Sequence, residues 1–327
     1  MRYRPFGKTG WRVSEIGFGG ARIGGLLAQD GGRATSLRTL EAACDAGINF
    51  YDTADIYSQG ESEILVGKAF HKKRDKVFIA TKGGYCLPTR KRFIQLIKPF
   101  VKPIVQAIGL RRSAFPAALS GTVSQDFSPG YLREAVEASL RRLQSDHIDL
   151  YQLHSPPREE LTGSRLLDAL GLLARLKTEG KIREYGIALD SVYDAEHCLD
   201  MEGLASLQMP FGLMDLQPLD GVFDKVSERQ FGIIARGCFG GGALKQSLTE
   251  ADLRAVEPQW ERALQIRRIA GQLQRSPLEA ALQFSLSIER ISVTILGMRT
   301  PEHVATNLQY YAAKPLSDEE KRVLLAR

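Results

Sequence analysis

Short apolar segments alternate with longer amphipathic segments along this chain. The apolar segments predict eight strands, at 13–19, 49–54, 77–82, 147–154, 184–189, 213–218, 232–238 and 293–297. They are almost continuously apolar, which is typical of strands that are buried on both faces. Eight alternations of strand and helix in one chain favour an α/β fold of the (β/α)8 TIM barrel type over an open sheet.

The amphipathic segments between these strands predict helices. They lie at 34–47, 61–73, 128–143, 166–179, 192–201, 257–274, 276–288 and 301–311. The third of these has a clear start signal, since Ser128 can cap it and Pro129 suits its first turn. Residues 2–14 predict an N-terminal β-hairpin that closes the bottom of the barrel, and residues 317–327 predict a terminal helix. We therefore expect a single domain that spans residues 1–327.

The composition is that of an ordinary globular protein. The 327 residues are 43% hydrophobic and 25% charged, which excludes a disordered tail, a collagen-like repeat and a disulfide scaffold. The four cysteines lie far apart and lack metal-ligand spacing, so we expect reduced thiols in the cytoplasm and no metal site. The N-terminus lacks the apolar region of a signal peptide, and the chain has no apolar run long enough to predict a membrane span.

The excess of basic charge is concentrated in one segment. The chain has 44 Lys and Arg residues against 38 Asp and Glu residues, but residues 84–125 hold seven of the basic residues and no acidic one. This segment is an insertion of about 40 residues in the third β/α unit, where connections are usually much shorter. Its apolar residues recur at helical spacing, which predicts an amphipathic element. Three interpretations are open: a surface excursion, a lid over the active-site mouth, or a contact with an anionic membrane surface.

Polar residues stand at the ends of three predicted strands. Asp52 lies at the end of the second strand, Lys82 ends the third and His154 ends the fourth. Tyr57 lies in the loop that follows the second strand. In a (β/α)8 barrel these positions meet at one mouth, where active sites form. Taken singly, the charged pair could be a rim salt bridge and the tyrosine a packing residue. Together they predict a general acid, because a lysine ammonium held by Asp52 stabilises a tyrosine anion. The neighbouring imidazole can then orient a substrate carbonyl.

The chain resembles the aldo-keto reductases. The resemblance rests on YRPFGKTGWRVSEIGFGG (3–20), INFYDTADIYSQGESEILVGKAF (48–70), FIATK (78–82), FSPGYLREAVEASLRRLQSDHIDLYQLHSP (127–156) and ILGMRTPEHVATN (295–307). It covers nearly the whole chain apart from 84–125. It implies a barrel that binds NAD(P)H and transfers hydride to a carbonyl group. It also implies that Tyr57 donates the proton, that Lys82 and Asp52 activate it, and that His154 orients the carbonyl.

The resemblance further implies a set of cofactor-binding positions. Gln217 matches a glutamine that binds the nicotinamide carboxamide, and Arg236 replaces a tyrosine that stacks on the nicotinamide ring. Where the family often has Ser-Asn after the fifth strand, this chain has Ala188 and Leu189. Arg299 can contact an adenosine 2′-phosphate, so NADPH is favoured over NADH. The implied cofactor-binding residues are Gly20, Ala21, Arg22, Asp52, Gln217, Arg236, Gly237, Phe239, Gly240, Gly297, Arg299, Thr300, His303 and Asn307.

We therefore expect an NAD(P)H-dependent oxidoreductase that reduces an aldehyde, ketone or sugar carbonyl, or oxidises the corresponding alcohol. A redox-neutral sugar epimerase with bound nicotinamide is the second interpretation. A non-catalytic nucleotide-sensing subunit, as in the potassium-channel β subunits of the family, is the third. Nucleic acid is not an expected partner, because the basic residues are not interleaved with aromatic residues. The sequence leaves the substrate and the oligomeric state open.

Overall fold

The computed structural model describes residues 1–24, 32–86 and 124–326. The strands in this part of the chain are β1 (Tyr3–Pro5), β2 (Arg12–Ser14), β3 (Ile16–Gly19), β4 (Phe50–Asp52), β5 (Phe78–Gly83), β6 (Tyr85–Cys86), β7 (Ser124–Gln125), β8 (Ile148–His154), β9 (Ile182–Ala188), β10 (Ser206–Pro210), β11 (Gly232–Arg236) and β12 (Val293–Gly297). Eight of these described strands close into a parallel barrel, in the order β3, β4, β5, β8, β9, β10, β11, β12. The predicted (β/α)8 barrel is confirmed.

Helices surround the barrel and follow most of its strands. They are α1 (Gly32–Asp45), α2 (Glu61–Phe70), α3 (Pro129–Leu143), α4 (Arg158–Leu161), α5 (Ser164–Thr178), α6 (Val222–Glu228), α7 (Glu250–Val256), α8 (Trp260–Gln272), α9 (Pro277–Leu286), α10 (Pro301–Ala312) and α11 (Asp318–Leu325). The predicted start of α3 is confirmed, because the Ser128 hydroxyl accepts a hydrogen bond from the Tyr131 backbone N–H. The short helices α4, α6 and α7 were not predicted, since a helix of one or two turns has too few residues to show a periodic pattern.

The predicted N-terminal hairpin closes the bottom of the barrel. Strands β1 and β2 pair antiparallel, and the Phe6 side chain between them is fully buried against Phe50. Gly232 at the start of β11 makes room for it, since a Cβ there would lie 2.6 Å from the Phe6 ring. Phe6 and Val13 join the lowest inward-facing residues of the barrel in one apolar cluster. The barrel is therefore closed by apolar side chains at the end opposite the carboxyl ends of its strands.

The prediction of the sixth strand at 213–218 is wrong. The strand is β10, Ser206–Pro210, whereas residues 213–218 follow it as a turn and the start of a 3-10 helix, Gln217–Leu219. Leu213 and Met214 are nevertheless buried in the main core. The segment is apolar because it packs as a buried loop, and apolarity alone does not distinguish such a loop from a strand.

The ends of the basic insertion lie beside the barrel mouth. Strands β6 and β7 pair antiparallel, with Tyr85 opposite Gln125. Residues 87–123, on which the predictions of an amphipathic element, a lid or a membrane contact fall, lie outside the described residues. In the described ranges, no helix combines the length and apolar character needed to cross a membrane. The four cysteines are free thiols.

Candidate active site

The inward-facing residues of the barrel change from apolar to polar toward the mouth. Side chains alternate along a strand, so residues two apart face the same side. Phe50, Ala80 and Leu150 belong to the apolar cluster at the bottom. Two residues further along the same strands stand Asp52, Lys82 and Gln152, and His154 ends β8. A polar layer thus lies directly above an apolar one.

Lys82 is held by a buried ion pair with Asp52 in this layer. Its side chain is fully buried, and its Nζ lies 2.7 Å from each carboxylate oxygen of Asp52. A third hydrogen bond of 2.9 Å goes from Nζ to the backbone oxygen of Thr53. Burial acts to lower the pKa of Lys82, but the Asp52 carboxylate outweighs it and holds that pKa above the ordinary value. The lysine is therefore an ammonium ion.

Tyr57 reaches the mouth from the loop after β4. It begins the 3-10 turn Tyr57–Gly60, in which Ser58 and Gln59 adopt left-handed φ angles of 48° and 60°. The Ser58 hydroxyl donates to the Ile23 backbone oxygen at 2.9 Å, which ties this turn to the loop after β3. Lys82 Nζ lies 5.0 Å from the centroid of the Tyr57 ring. Burial raises the pKa of the Tyr57 phenol above its ordinary value, and the lysine charge opposes that rise.

His154 lies between two tyrosine rings at the end of β8. Its ring centroid is 5.7 Å from that of Tyr57 and 4.8 Å from that of Tyr85, and both contacts are edge-on. Gln125 donates from Nε2 to the backbone oxygens of His154 and Ser155, at 3.0 Å and 2.8 Å. Burial, together with the charges of Lys82 and Arg236, lowers the pKa of His154 to about 2. The imidazole is therefore neutral at physiological pH.

The structure thus brings Asp52, Tyr57, Lys82 and His154 together, as the sequence predicted. Sequence reasoning missed Gln208, which is buried on β10 and donates from Nε2 to Asp52 Oδ1 at 2.8 Å. The period-two alternation of β10 would have placed it inward if the strand had been recognised. Gln217 lies instead in the 3-10 helix beyond β10, so the sixth-strand glutamine inside the barrel is Gln208 and not Gln217.

The first group of predicted cofactor-binding residues lies in the turn after β3. Gly20, Ala21 and Arg22 form a 3-10 turn, and Ala21 and Arg22 are exposed. A Cβ at Gly20 would lie 2.7 Å from the Ser62 hydroxyl and 3.0 Å from the Asp52 backbone oxygen. Glycine at this position therefore lets the turn pack closely against the end of β4 and the start of α2.

The second group follows β11. Arg236 ends this strand, and its Nη2 donates to the Leu189 backbone oxygen at 2.9 Å and to Asp190 Oδ1 at 2.7 Å. The guanidinium therefore reaches across β10 to the loop after β9. Gly237 and Gly240 have φ angles of 80° and 57°, and Phe239 between them packs against the main core.

The third group follows β12 and enters α10. Gly297 ends β12, and a Cβ built on it would meet no atom within 4 Å. Thr300 caps α10, where its hydroxyl accepts from the His303 backbone N–H at 3.4 Å. Asn307 is buried in the second turn of α10, and its Nδ2 has no hydrogen-bond partner among the described residues. Arg299 lies in the loop between β12 and α10.

The closed barrel thus carries a tyrosine, an ion-paired lysine and a neutral histidine together at its mouth. The sequence model of the Aldo/keto reductase family matches residues 15–324. The chain belongs to the aldo/keto reductase family and is an oxidoreductase.

Individual relatives resemble the chain over almost its whole length. An uncharacterized oxidoreductase, YqkF, of Bacillus subtilis (strain 168) is 27% identical over 99% of this chain and 95% of its own. D-threo-aldose 1-dehydrogenase of a Pseudomonas species is 29% identical over 93% of this chain and 91% of its own. The solved holo structure of the aldo-keto reductase AKR11C1 from Bacillus halodurans superposes with a TM-score of 0.80 at 28% identity, covering 100% of this chain and 97% of its own.

Proposed function

We propose that the protein reduces the carbonyl group of an aldehyde, ketone or sugar with NADPH, and that Tyr57 donates the proton. The observation that carries the proposal is the contact of a tyrosine with a fully buried, ion-paired lysine at the mouth of the barrel. The same residues serve the reverse reaction, in which an alcohol is oxidised.

Each residue of the site has a distinct part in this proposal. The neutral His154 donates a hydrogen bond to the substrate carbonyl and so aligns it with the Tyr57 hydroxyl. The proton passes from that hydroxyl to the carbonyl oxygen, and the resulting phenolate is stabilised by the Lys82 ammonium. Asp52 keeps the lysine charged and in place. When bound, a reduced nicotinamide would supply the hydride, with its electron pair, that the carbonyl carbon needs to become an alcohol.

The residues around the mouth fit a nicotinamide dinucleotide. The buried Nδ2 of Asn307 is a donor without a partner among the described residues, as expected for a group that meets a ligand. The glycines after β11 have left-handed φ angles, which let backbone N–H groups approach a pyrophosphate closely. We assign cofactor contacts to the loops after β3, β11 and β12, and we assign the role first given to Gln217 to Gln208. Arg299, beside the N-terminus of α10, favours NADPH over NADH.

Replacement of the proton donor tests the proposal. Tyr57→Phe is expected to lower turnover by about 100- to 10,000-fold, the usual contribution of a general acid. The assay follows NADPH consumption with a panel of aldehydes, ketones and aldoses, and circular dichroism checks that the barrel stays folded. Tyr3→Phe, on an exposed side chain of the hairpin at the closed end of the barrel, is the matched control and should keep full activity. Full activity of Tyr57→Phe would refute the proposed mechanism.

The panel also addresses the substrate class. The similarity to D-threo-aldose 1-dehydrogenase makes aldoses a rational first choice, assayed with NADP⁺ as well as with NADPH. A product formed without any net change in NADPH would identify an epimerase instead. Binding of NADPH without turnover on any carbonyl would favour a nucleotide-sensing subunit.

A further inference from the structure

The mouth of the barrel carries a positive charge on the side facing away from the proposed proton donor. In the closed order of eight strands, β11 lies four strands from β5 in either direction, and so directly across the barrel from it. Lys82 stands on β5, between the strands that carry Asp52 and His154. Arg236 stands at the end of β11 and is on the inward face, since Ile234 two residues earlier belongs to the interior apolar cluster.

The position of the Arg236 guanidinium is fixed by two contacts on one side. Both contacts use Nη2, which donates to the Leu189 backbone oxygen and to the Asp190 carboxylate. Nε and Nη1 make no hydrogen bond within the described ranges. The Arg236 side chain is 36% exposed and that of Asp190 is 68% exposed. The carboxylate is therefore the better solvated of the two, and it screens the guanidinium charge only in part.

The charge of Arg236 affects the pKa values of two residues across the mouth. It is among the causes that lower the pKa of His154, and it also acts to lower the pKa of Tyr57. These two residues stand on the opposite wall. A ring placed between the two walls would therefore lie in the field of this guanidinium.

We propose that the Arg236–Asp190 pair sets the relative affinity of this site for reduced and oxidised nicotinamide. The inference rests on the proposed function. The proposed function assigns cofactor contacts to the loop after β11, which starts beside Arg236, so a bound nicotinamide ring would lie near this guanidinium. From there the hydride would reach a face of the carbonyl group that Tyr57 and His154 leave open. The nicotinamide ring is neutral when reduced and carries a positive charge when oxidised. A fixed cation beside it raises the free energy of the oxidised form relative to the reduced form.

The pair therefore has a directional effect on the reaction. The site holds the reduced cofactor more tightly than the oxidised one, so carbonyl reduction ends with a weakly held product cofactor. Asp190 moderates the effect, because its negative charge opposes that of the guanidinium. The two members of the pair consequently act in opposite directions, which a purely structural salt bridge would not do.

Binding of the two cofactor forms in the absence of substrate tests this inference. The dissociation constants of NADPH and NADP⁺ are measured by isothermal titration calorimetry for the wild type, Arg236→Gln and Asp190→Asn. The ratio of the NADP⁺ constant to the NADPH constant should fall about tenfold in Arg236→Gln, equivalent to about 1.4 kcal/mol. The ratio should rise severalfold in Asp190→Asn, and Arg236→Lys should keep most of the wild-type ratio. Raising the salt concentration should reduce all of these differences.

A second arginine–aspartate pair provides the matched control. Arg229 and Asp200 form an exposed salt bridge, and Arg229 precedes β11 and so lies toward the closed end of the barrel. Arg229→Gln should leave the ratio unchanged. Two results would overturn the inference even if the enzyme reduces carbonyls. One is that Arg236→Gln weakens the binding of NADPH and NADP⁺ equally. The other is that the ratio of their dissociation constants changes in the same direction in Arg236→Gln and in Asp190→Asn. Failure of the wild type to bind either dinucleotide would overturn the proposed function together with it.

Discussion

The ion pair between Asp52 and Lys82 should be strongly cooperative in stabilising the barrel. Lys82 is fully buried, and the separation of 2.7 Å from Asp52 corresponds to an attraction of about 6 kcal/mol at an effective dielectric constant of about 20. Asp52→Asn removes the negative charge and leaves the ammonium buried beside a neutral amide. Loss of one partner of a buried pair typically costs about 3–5 kcal/mol, because the remaining charge is neither solvated nor paired. Lys82→Met should cost a similar amount, since it leaves the carboxylate with the Gln208 amide as a neutral partner.

The double variant Asp52→Asn/Lys82→Met removes both charges at once. Its free energy of unfolding should lie within about 1–2 kcal/mol of the wild type, which gives a coupling energy of several kcal/mol. The free energy of unfolding of the wild type and the three variants is measured by urea titration followed by circular dichroism. Their activity is measured as NADPH consumption. All three variants should be inactive. Lys82→Met and the double variant remove the ammonium that stabilises the Tyr57 anion, and Asp52→Asn removes the carboxylate that keeps this ammonium charged and in place. Small, additive losses of stability in the single variants would refute the reasoning, as would an active double variant.

Two further predictions concern a glycine inside the barrel and a buried acid. A Cβ at Gly186 would lie 2.2 Å from the Ser206 hydroxyl and 2.6 Å from its backbone oxygen, so Gly186→Ala should lower the free energy of unfolding by about 1–3 kcal/mol in urea titrations. Gly271→Ala, in a helix with open space around the new methyl group, should raise it by about 0.5–1 kcal/mol, and equal effects would contradict the argument. Burial raises the pKa of Asp55 to about 7, so the folded state binds this proton more tightly than the unfolded state does. The contribution of this proton to the free energy of unfolding should therefore be lost as the pH rises from about 4 to 7. The urea midpoints measured at about pH 4 and about pH 7 should differ less in Asp55→Asn than in the wild type.

Seven of the eight described barrel strands overlap segments that the sequence predicted, and the sixth does not. Asp52, Lys82 and His154 stand at the ends of clear apolar runs, so their convergence follows from the barrel itself. The sixth strand is short and contains Gln208, whereas the buried loop that follows it contains Leu213 and Met214. Local apolarity therefore favoured the loop, and the true strand was recognisable only from its pairing with β9 and β11.

The surroundings of His154 depend on contacts that no local pattern encodes. Tyr85 and Gln125 both touch this residue, yet they are separated by the whole insertion in sequence. They meet because β6 and β7 pair with each other beside the mouth. The bond between Arg236 and Asp190 is of the same kind, since it joins loops that follow different strands. Sequence reasoning identified Arg236 as unusual, but only the structure shows what holds it.

The apolar closure of the barrel bottom also constrains how the enzyme recovers its proton. Phe6 and Val13 are fully buried at that end, in one apolar cluster with residues of the lowest inward-facing layer. In the proposed mechanism the phenol must regain a proton after each reduction, and the apolar cluster at the bottom favours proton delivery through the mouth. That mouth is also the entrance for substrate and cofactor. In this mechanism the proton therefore returns to Tyr57 through the same opening by which substrate and cofactor enter and leave. A ligand that fills the mouth would delay the return of the proton.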